Sequence, residues 1–136
     1  MTLPSRTSAR PSAGTAAGTA AAPPSAAPGQ RADGQPARIL VFDSGVGGLS
    51  ILAAIRARLP GADFIYACDN AAFPYGTKDE ATLVARVDRV LRALIAHSQP
   101  DIVVVACNTA STLVLPRIRA HLPEPVANRI VGVGPA

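Results

Sequence analysis

Three sets of polar residues hold the side chains of this chain that are best suited to chemistry. They are Asp43 to Gly45, Cys68 to Asn70 together with Pro74 to Gly76, and Cys107 to Ser111. Together they supply hydroxyls, amides, carboxylates and a thiol, which can bind a small polar substrate and transfer protons. Each set begins directly after an apolar run, so its position depends on the element which that run forms.

Cys107 is the strongest candidate for a reactive group. It follows the apolar run Ile102 to Ala106 and precedes a predicted helix, and helix N-termini lower the pKa of a thiol. A single cysteine is also often a small buried packing residue, so the residues alone leave both interpretations open. Cys68 lacks this context and is interpreted as a packing residue. The two cysteines show no metal-ligand spacing, so no metal site is predicted.

The remaining candidates each have a structural alternative. The glycine-rich loop 45–48 resembles a phosphate-binding loop because helix N-terminal amides attract anions, but it lacks the G-x-G-x-x-G spacing of dinucleotide-binding loops. The same loop could bind a substrate carboxylate or form a tight turn. Asp43 and Ser44 could cap the first helix, and Tyr75 could be a packed aromatic residue.

Alternating apolar runs predict the elements that position these residues. Strands are predicted at 38–43, 63–67, 102–106 and 130–133, and helices at 49–60, behind a capping box at 77–80, and at 113–121. The order β-α-β-α-β-α-β predicts an α/β fold, a three-layer domain with a parallel sheet. In such sheets ligands bind beyond the carboxyl ends of the strands. The polar residues are therefore expected to converge on one rim.

The second helix is predicted to be amphipathic. Its apolar residues between Leu83 and Ile95 recur at helical spacing, whereas Arg86, Arg89 and Arg92 fall on the other face. We interpret these arginines as a solvated helix surface.

Composition divides the chain at residue 37. Residues 1–37 hold 6 of the 13 prolines and almost no large apolar side chains, so they are predicted to form a disordered, low-complexity tail. An organelle-targeting segment is the alternative for this tail. Residues 38–136 are predicted to form one domain, because about 99 residues suffice for one small layered unit.

Charge and hydropathy exclude several classes of partner. The formal net charge of +4 divides evenly between the tail and the domain, so no nucleic-acid partner is predicted. The sequence contains neither a run of about 18 apolar residues nor the pattern of a secretory signal. No membrane partner is therefore expected. The expected location is the cytoplasm.

Three motifs together give the chain a family resemblance. The motifs VFDSGVGGLS (41–50), PYGTK (74–78) and VVVACNTAS (103–111) resemble those of the glutamate racemases, within the aspartate/glutamate racemase superfamily. The resemblance implies an isomerase that interconverts L- and D-glutamate without a cofactor and supplies D-glutamate for peptidoglycan. It also implies a two-domain fold in which two cysteines act on opposite faces of the substrate α-carbon.

The resemblance assigns roles to residues of this chain. Cys107 matches the first catalytic cysteine of the family. The residues that match substrate-contacting positions are Asp43, Ser44, Tyr75, Gly76, Asn108 and Thr109.

One family motif is missing from the chain. The second catalytic cysteine of the family lies in a G-C-T-H motif, which this sequence does not contain. We therefore expect an N-terminal fragment, the first half of a two-domain racemase, that is inactive alone. An exposed interdomain face would favour self-association, so a homo-oligomer is one expected state. The alternatives are a non-catalytic domain that binds a small ligand or anion, and a flavodoxin-like nucleotide binder that uses residues 44–48.

Overall fold

Four parallel strands form a single sheet at the centre of the protein. The computed structural model describes residues 27–134, and within them the strand order is β2-β1-β3-β4. The strands are β1 (Arg38–Asp43), β2 (Asp63–Cys68), β3 (Ile102–Val105) and β4 (Ile130–Gly132). β1 pairs with β2 and β3, and β3 pairs with β4, all in parallel. The predicted α/β fold with a parallel sheet is therefore confirmed.

Helices cover both faces of this sheet and give it three layers. They are α1 (Gly48–Arg58), α2 (Glu80–Ser98), α3 (Leu115–His121) and α4 (Glu124–Ala127). Ile39 and Val41 of β1 pack against α1 on one face. Leu40 and Phe42 point to the other face and pack with residues of α2 and α3. A strand buried on both faces in this way is typical of a sheet that helices sandwich.

The start of α2 differs from the predicted capping box. Asp79 is the N-cap, and its carboxylate accepts a hydrogen bond from Thr82 N at 2.9 Å. Thr77, the predicted cap, instead donates its hydroxyl to Pro74 O at 3.2 Å within a one-turn 3₁₀ helix, Tyr75–Thr77. The capping-box prediction is wrong because this local turn already uses the threonine hydroxyl.

The third connection is more irregular than predicted. A π-helical segment, Ala110–Val114, leads directly into α3, and α4 was not predicted at all. Pro116 lies in the first turn of α3, where a proline costs no intrahelical hydrogen bond. The helix predicted at 113–121 therefore contains a change from π-helical to α-helical geometry just before this proline.

Residues 27–37 form a hydrogen-bonded loop, although the sequence places them in the tail. Ala37 N donates to Gly29 O at 2.8 Å, and Gly61 N donates to Pro28 O. Gly29 has a φ of +93°, and a Cβ there would lie 2.7 Å from Ala62 N. Backbone hydrogen bonds hold this loop, so an analysis of apolar content misses it. The rest of the predicted tail, residues 1–26, lies outside the described residues.

Gly132 marks a close approach between β4 and the π-helical segment. A Cβ at this position would lie 2.8 Å from Ser111 Cβ and 2.9 Å from Leu115 Cδ2. We expect Gly132→Ala to lower the free energy of unfolding by about 1–3 kcal/mol, because a packed core must shift to admit the methyl group. Urea unfolding measures this change. Gly134→Ala is the matched control, because nothing lies within 4 Å of its Cβ position, and equal stabilities of the two variants would contradict the prediction.

Candidate functional site

The carboxyl ends of β1 and β3 bring two of the polar sets together. Phe42 pairs with Val105, and Ala106 N donates to Phe42 O at 2.7 Å, so the residues that follow both strands lie side by side. They border a cleft of about 370 Å³. The cleft is lined by the predicted site residues Asp43, Ser44, Cys107, Asn108 and Thr109, and also by Gly45, Val46, Gly47, Ser50, Ile51, Phe73, Ala106 and Val133.

Cys107 lines this cleft. The residue is 7% exposed, and its Sγ donates to Ser44 Oγ at 3.4 Å. Its carbonyl accepts Ser111 N at 2.8 Å, so the cysteine stands at the beginning of the helical segment, as predicted. The thiol therefore faces a polar cleft and has a hydroxyl as its nearest polar neighbour.

Asp43 organises the glycine loop through its carboxylate. Oδ1 accepts Ser44 N at 2.8 Å, and Oδ2 accepts Gly48 N at 2.8 Å. The side chain is buried and thus satisfies the first amide of α1 while it lines the cleft. The N-cap position of α1 is Gly47, so the interpretation of Asp43 and Ser44 as its N-cap residues is wrong, although the Asp43 carboxylate accepts the first amide of the helix and lines the cleft.

The same contacts argue against a phosphate site in the loop. Two of the backbone amides that would cradle a phosphate already donate to the Asp43 carboxylate. The geometry therefore disfavours the nucleotide-binding alternative.

Tyr75 and Gly76 lie beside the cleft and do not line it. Tyr75 is 1% exposed, and its hydroxyl donates to Asp69 Oδ2 at 2.7 Å. A side chain at position 76 would point towards Thr109, because a Cβ on Gly76 would lie 4.0 Å from Thr109 Oγ1. The structure thus brings the PYG motif against the wall that carries Thr109, with the tyrosine hydroxyl turned away from the cleft.

Arg86 has a role that its position in the sequence does not reveal. Its guanidinium makes two hydrogen bonds to Asp69, from Nε to Oδ2 at 2.6 Å and from the terminal nitrogen to Oδ1 at 2.7 Å. Assigning Arg86 to a solvated surface is therefore wrong. The period of α2 places it at the edge of the apolar stripe, where a long side chain reaches a buried carboxylate. The sequence signal for the contact was Asp69, which directly follows a strand.

Two further residues differ from expectation. Cys68 is an exposed free thiol, so its interpretation as a packing residue is wrong; it ends an edge strand that has a neighbour on one side only. Phe73 is 60% exposed and covers Gly45, where a Cβ would lie 3.0 Å from its ring. This ring and Val46 give the cleft an exposed apolar rim.

Ser111 ties the beginning of the helical segment to the end of β4. Its hydroxyl lies 2.6 Å from Val133 O and 3.1 Å from Asn108 O. Val133 also lines the cleft. The residues after Cys107 and the residues after β4 therefore form one connected wall.

Both tyrosines of the chain are protected against ionisation. Burial, followed by the charge of Asp43, raises the pKa of Tyr66 from 10.0 to about 12, and its hydroxyl donates to Gly45 O at 2.9 Å. Burial and the hydrogen bond to Asp69 raise the pKa of Tyr75 further. An unfolded tyrosine loses its proton near pH 10. The stability that the protonated Tyr66 contributes is therefore present below pH 10 and lost as the pH rises towards about 12.

We expect the native protein to show no phenolate absorption at pH 10. Both tyrosines should titrate only at higher pH or together with unfolding, because the folded state retains their protons. Absorption at the phenolate band, recorded in parallel with circular dichroism, measures this. Phenolate with a midpoint near pH 10 in a chain that keeps its native dichroism would contradict it.

The described residues also limit the classes of site. Between residues 27 and 134, no helix is long and apolar enough to cross a membrane. No group of three or more His, Cys, Asp or Glu side chains in this region could hold a metal ion.

Comparison with known proteins gives consistent relatives. No protein-family model matches the chain. It is 52% identical over 99 residues to the glutamate racemase of Vibrio cholerae, a match that covers 73% of this chain and 37% of that protein. It is 53% identical over 100 residues to the glutamate racemase of Shewanella loihica, covering 74% and 38%.

The solved structures that resemble this chain are also glutamate racemases. Escherichia coli glutamate racemase, solved with L-glutamate and the activator UDP-MurNAc-Ala, superposes with a TM-score of 0.65 at 49% identity, over 74% of this chain and 36% of that chain. Thermus thermophilus glutamate racemase, solved with β-chloro-D-alanine, gives a TM-score of 0.59 at 42% identity, over 71% and 36%. The chain thus spans a little over a third of the length of its relatives. The matched region is homologous to that part of the glutamate racemases, an isomerase family.

Proposed function

We propose that this chain supplies one wall of a glutamate racemase site, with Cys107 as the thiol that exchanges the α-proton on one face of the substrate. The observation that carries the proposal is the position of the Cys107 thiol, 3.4 Å from Ser44 Oγ, in the lining of a polar cleft. The relatives of this fold, which are about half identical to the chain over the matched region, are glutamate racemases.

The surroundings of Cys107 suit the chemistry of an amino acid α-proton. This proton is very weakly acidic, so its removal requires hydrogen bonds that stabilise the developing negative charge. The hydroxyls of Ser44 and Thr109 and the amide of Asn108 line the cleft and supply donors for the substrate carboxylates. In this proposal Asp43 holds the loop that carries Ser44, and the Tyr75–Gly76 turn supports Thr109.

Net inversion requires a second proton-transferring group on the opposite face of the α-carbon. The cleft has one thiol, that of Cys107, among the residues that the structure describes around it. The relatives are almost three times as long as the matched region, and the part of their chain outside the match would supply the second group. The complete site therefore needs more than these residues, and the proposed activity belongs to a chain of racemase length.

The biological role rests on the same proposal. A glutamate racemase supplies D-glutamate for peptidoglycan, and hence for cell-wall formation and cell shape, in the cytoplasm. Glutamate is accordingly the proposed small-molecule partner. The apolar rim formed by Val46 and Phe73 supports the prediction of self-association in a chain of this length.

Glutamate titration of the isotope-labelled 136-residue chain, followed by NMR, tests this proposal. We expect weak binding of glutamate, with chemical-shift changes centred on Ser44 and Asn108 and few elsewhere. Asn108→Ala should weaken binding by about tenfold through the lost hydrogen bond to a charged ligand. Asn70→Ala is the matched control, because Asn70 is exposed and does not line the cleft.

The same titration defines the opposing results. A folded chain whose cleft signals do not move even at high glutamate concentration would contradict the proposal. Equal binding of glutamate and of inorganic phosphate at the same residues would favour the non-catalytic anion-binding domain instead.

A further inference from the structure

Three side chains from three different elements form a buried polar network beside the cleft. We call it the Arg86 network: Arg86 of α2, Asp69 after β2, and Tyr75 of the 3₁₀ turn. Arg86 makes two hydrogen bonds to Asp69, at 2.6 and 2.7 Å. Tyr75 donates its hydroxyl to the same carboxylate at 2.7 Å. Arg–carboxylate pairs with two parallel hydrogen bonds fix orientation as well as charge.

The network is buried at its centre. Asp69 is 8% exposed and Tyr75 1% exposed, and the hydrogen bonds from Arg86, followed by the one from Tyr75, hold the pKa of Asp69 below its usual value. A carboxylate this enclosed is costly unless it is paired. Removing the guanidinium would therefore leave Asp69 uncompensated and without the two hydrogen bonds that fix its orientation towards Tyr75.

Tyr75 connects the Arg86 network to the residues around Cys107. Its ring belongs to the same core cluster as Cys107 and Ala110. The next residue, Gly76, faces Thr109. Asp69 is also joined to the cleft by its backbone, because its N–H donates to Asp43 O at 3.0 Å.

We infer that Arg86 is a positioning residue for Cys107, acting through Asp69 and Tyr75 from outside the cleft. The arginine does not line the cleft. It fixes the turn that packs against the thiol wall, so its loss would loosen Cys107 and Thr109 while most of the sheet stays folded. The inference rests on the proposed function only in giving Cys107 a role in proton transfer.

The chain offers a matched control on the same helix. Arg92 pairs with Asp88 at 2.8 Å, four residues apart on the exposed side of α2. This pair has the same chemistry as Arg86–Asp69 but touches neither the PYG turn nor the cleft. An exposed pair of this kind contributes little to stability.

The test measures the rate at which iodoacetamide alkylates Cys107 in the 136-residue chain with Cys68→Ser. We expect Arg86→Ala to raise this rate by about tenfold, because a charge-assisted bond no longer restrains local opening. Tyr75→Phe keeps the ring, removes one hydrogen bond and should raise the rate by a smaller factor. Arg92→Ala should leave the rate unchanged. Low concentrations of urea distinguish local opening, whose rate is insensitive to urea, from global unfolding.

Each outcome decides the inference. A raised, urea-insensitive rate in Arg86→Ala, or in Tyr75→Phe should Arg86→Ala fail to fold, supports it. Rates equal to that of Arg92→Ala, or rates that rise only with global unfolding, overturn it. Glutamate added to the reference chain tests the proposed function separately, because a bound substrate would protect Cys107. If glutamate did not slow the alkylation of Cys107 while Arg86→Ala still raised its rate, the proposed function would be refuted and the inference about Arg86 would stand.

Discussion

The purified 136-residue chain is expected to produce no D-glutamate from L-glutamate above the uncatalysed background. Its cleft contains one cysteine, Cys107, among the residues that line it, whereas inversion requires a proton donor on the opposite face of the α-carbon. Loss of one member of a cooperating catalytic pair typically costs several orders of magnitude in rate. Circular dichroism of the amino acid follows the conversion directly.

Two controls make this absence of activity informative. The chain must show native dichroism under the assay conditions, and a full-length glutamate racemase must be active in the same buffer. Turnover by the 136-residue chain that Cys107→Ala abolishes would contradict the prediction, because the described half of the site would then suffice.

Restoring a chain of racemase length should make Cys107 indispensable. We propose a chimaera in which residues 38–134 replace their counterpart in the Escherichia coli enzyme, which is 49% identical over the match. Cys107→Ser should lower racemisation by at least about 10³-fold. A serine hydroxyl is nearly the size of a thiol, but its pKa is far too high to supply an anionic base near neutral pH.

Deuterium exchange separates the two faces of the reaction. In deuterated water, the Cys107→Ser chimaera should fail to exchange the α-hydrogen of one enantiomer, and the family resemblance assigns that enantiomer as D-glutamate. Cys68→Ser is the matched control, because Cys68 is exposed and does not line the cleft. If Cys68→Ser stopped turnover and Cys107→Ser did not, the roles of the two thiols would be reversed.

Regular periodicity in the sequence accounts for most of the fold. The apolar runs at 39–42 and 103–105 are the buried parts of β1 and β3, and polar residues that follow them meet at one cleft. Such runs are informative because a strand covered on both faces is apolar at consecutive positions. The convergence of Asp43 and Cys107 then follows from the topology of parallel sheets, before any family is considered.

The errors in prediction share one physical origin. Arg86 and Cys68 have local patterns that fit a solvated helix face and a packed thiol, but tertiary position decides their roles. Arg86 finds a carboxylate 17 residues away, and Cys68 lies at the end of an edge strand. A single sequence contains the helical period but not the partner that lies across from it in space.

The hydrogen bond between the Ser111 hydroxyl and Val133 O connects the segment after β4 to the residues that follow Cys107. The chain that leaves β4 passes Val133, whose carbonyl lies 2.6 Å from the Ser111 hydroxyl. Ser111 N in turn donates to the Cys107 carbonyl. In a racemase-length chain, a displacement of the segment after β4 would therefore be transmitted through these two hydrogen bonds to the backbone of Cys107 and would shift the wall of the cleft.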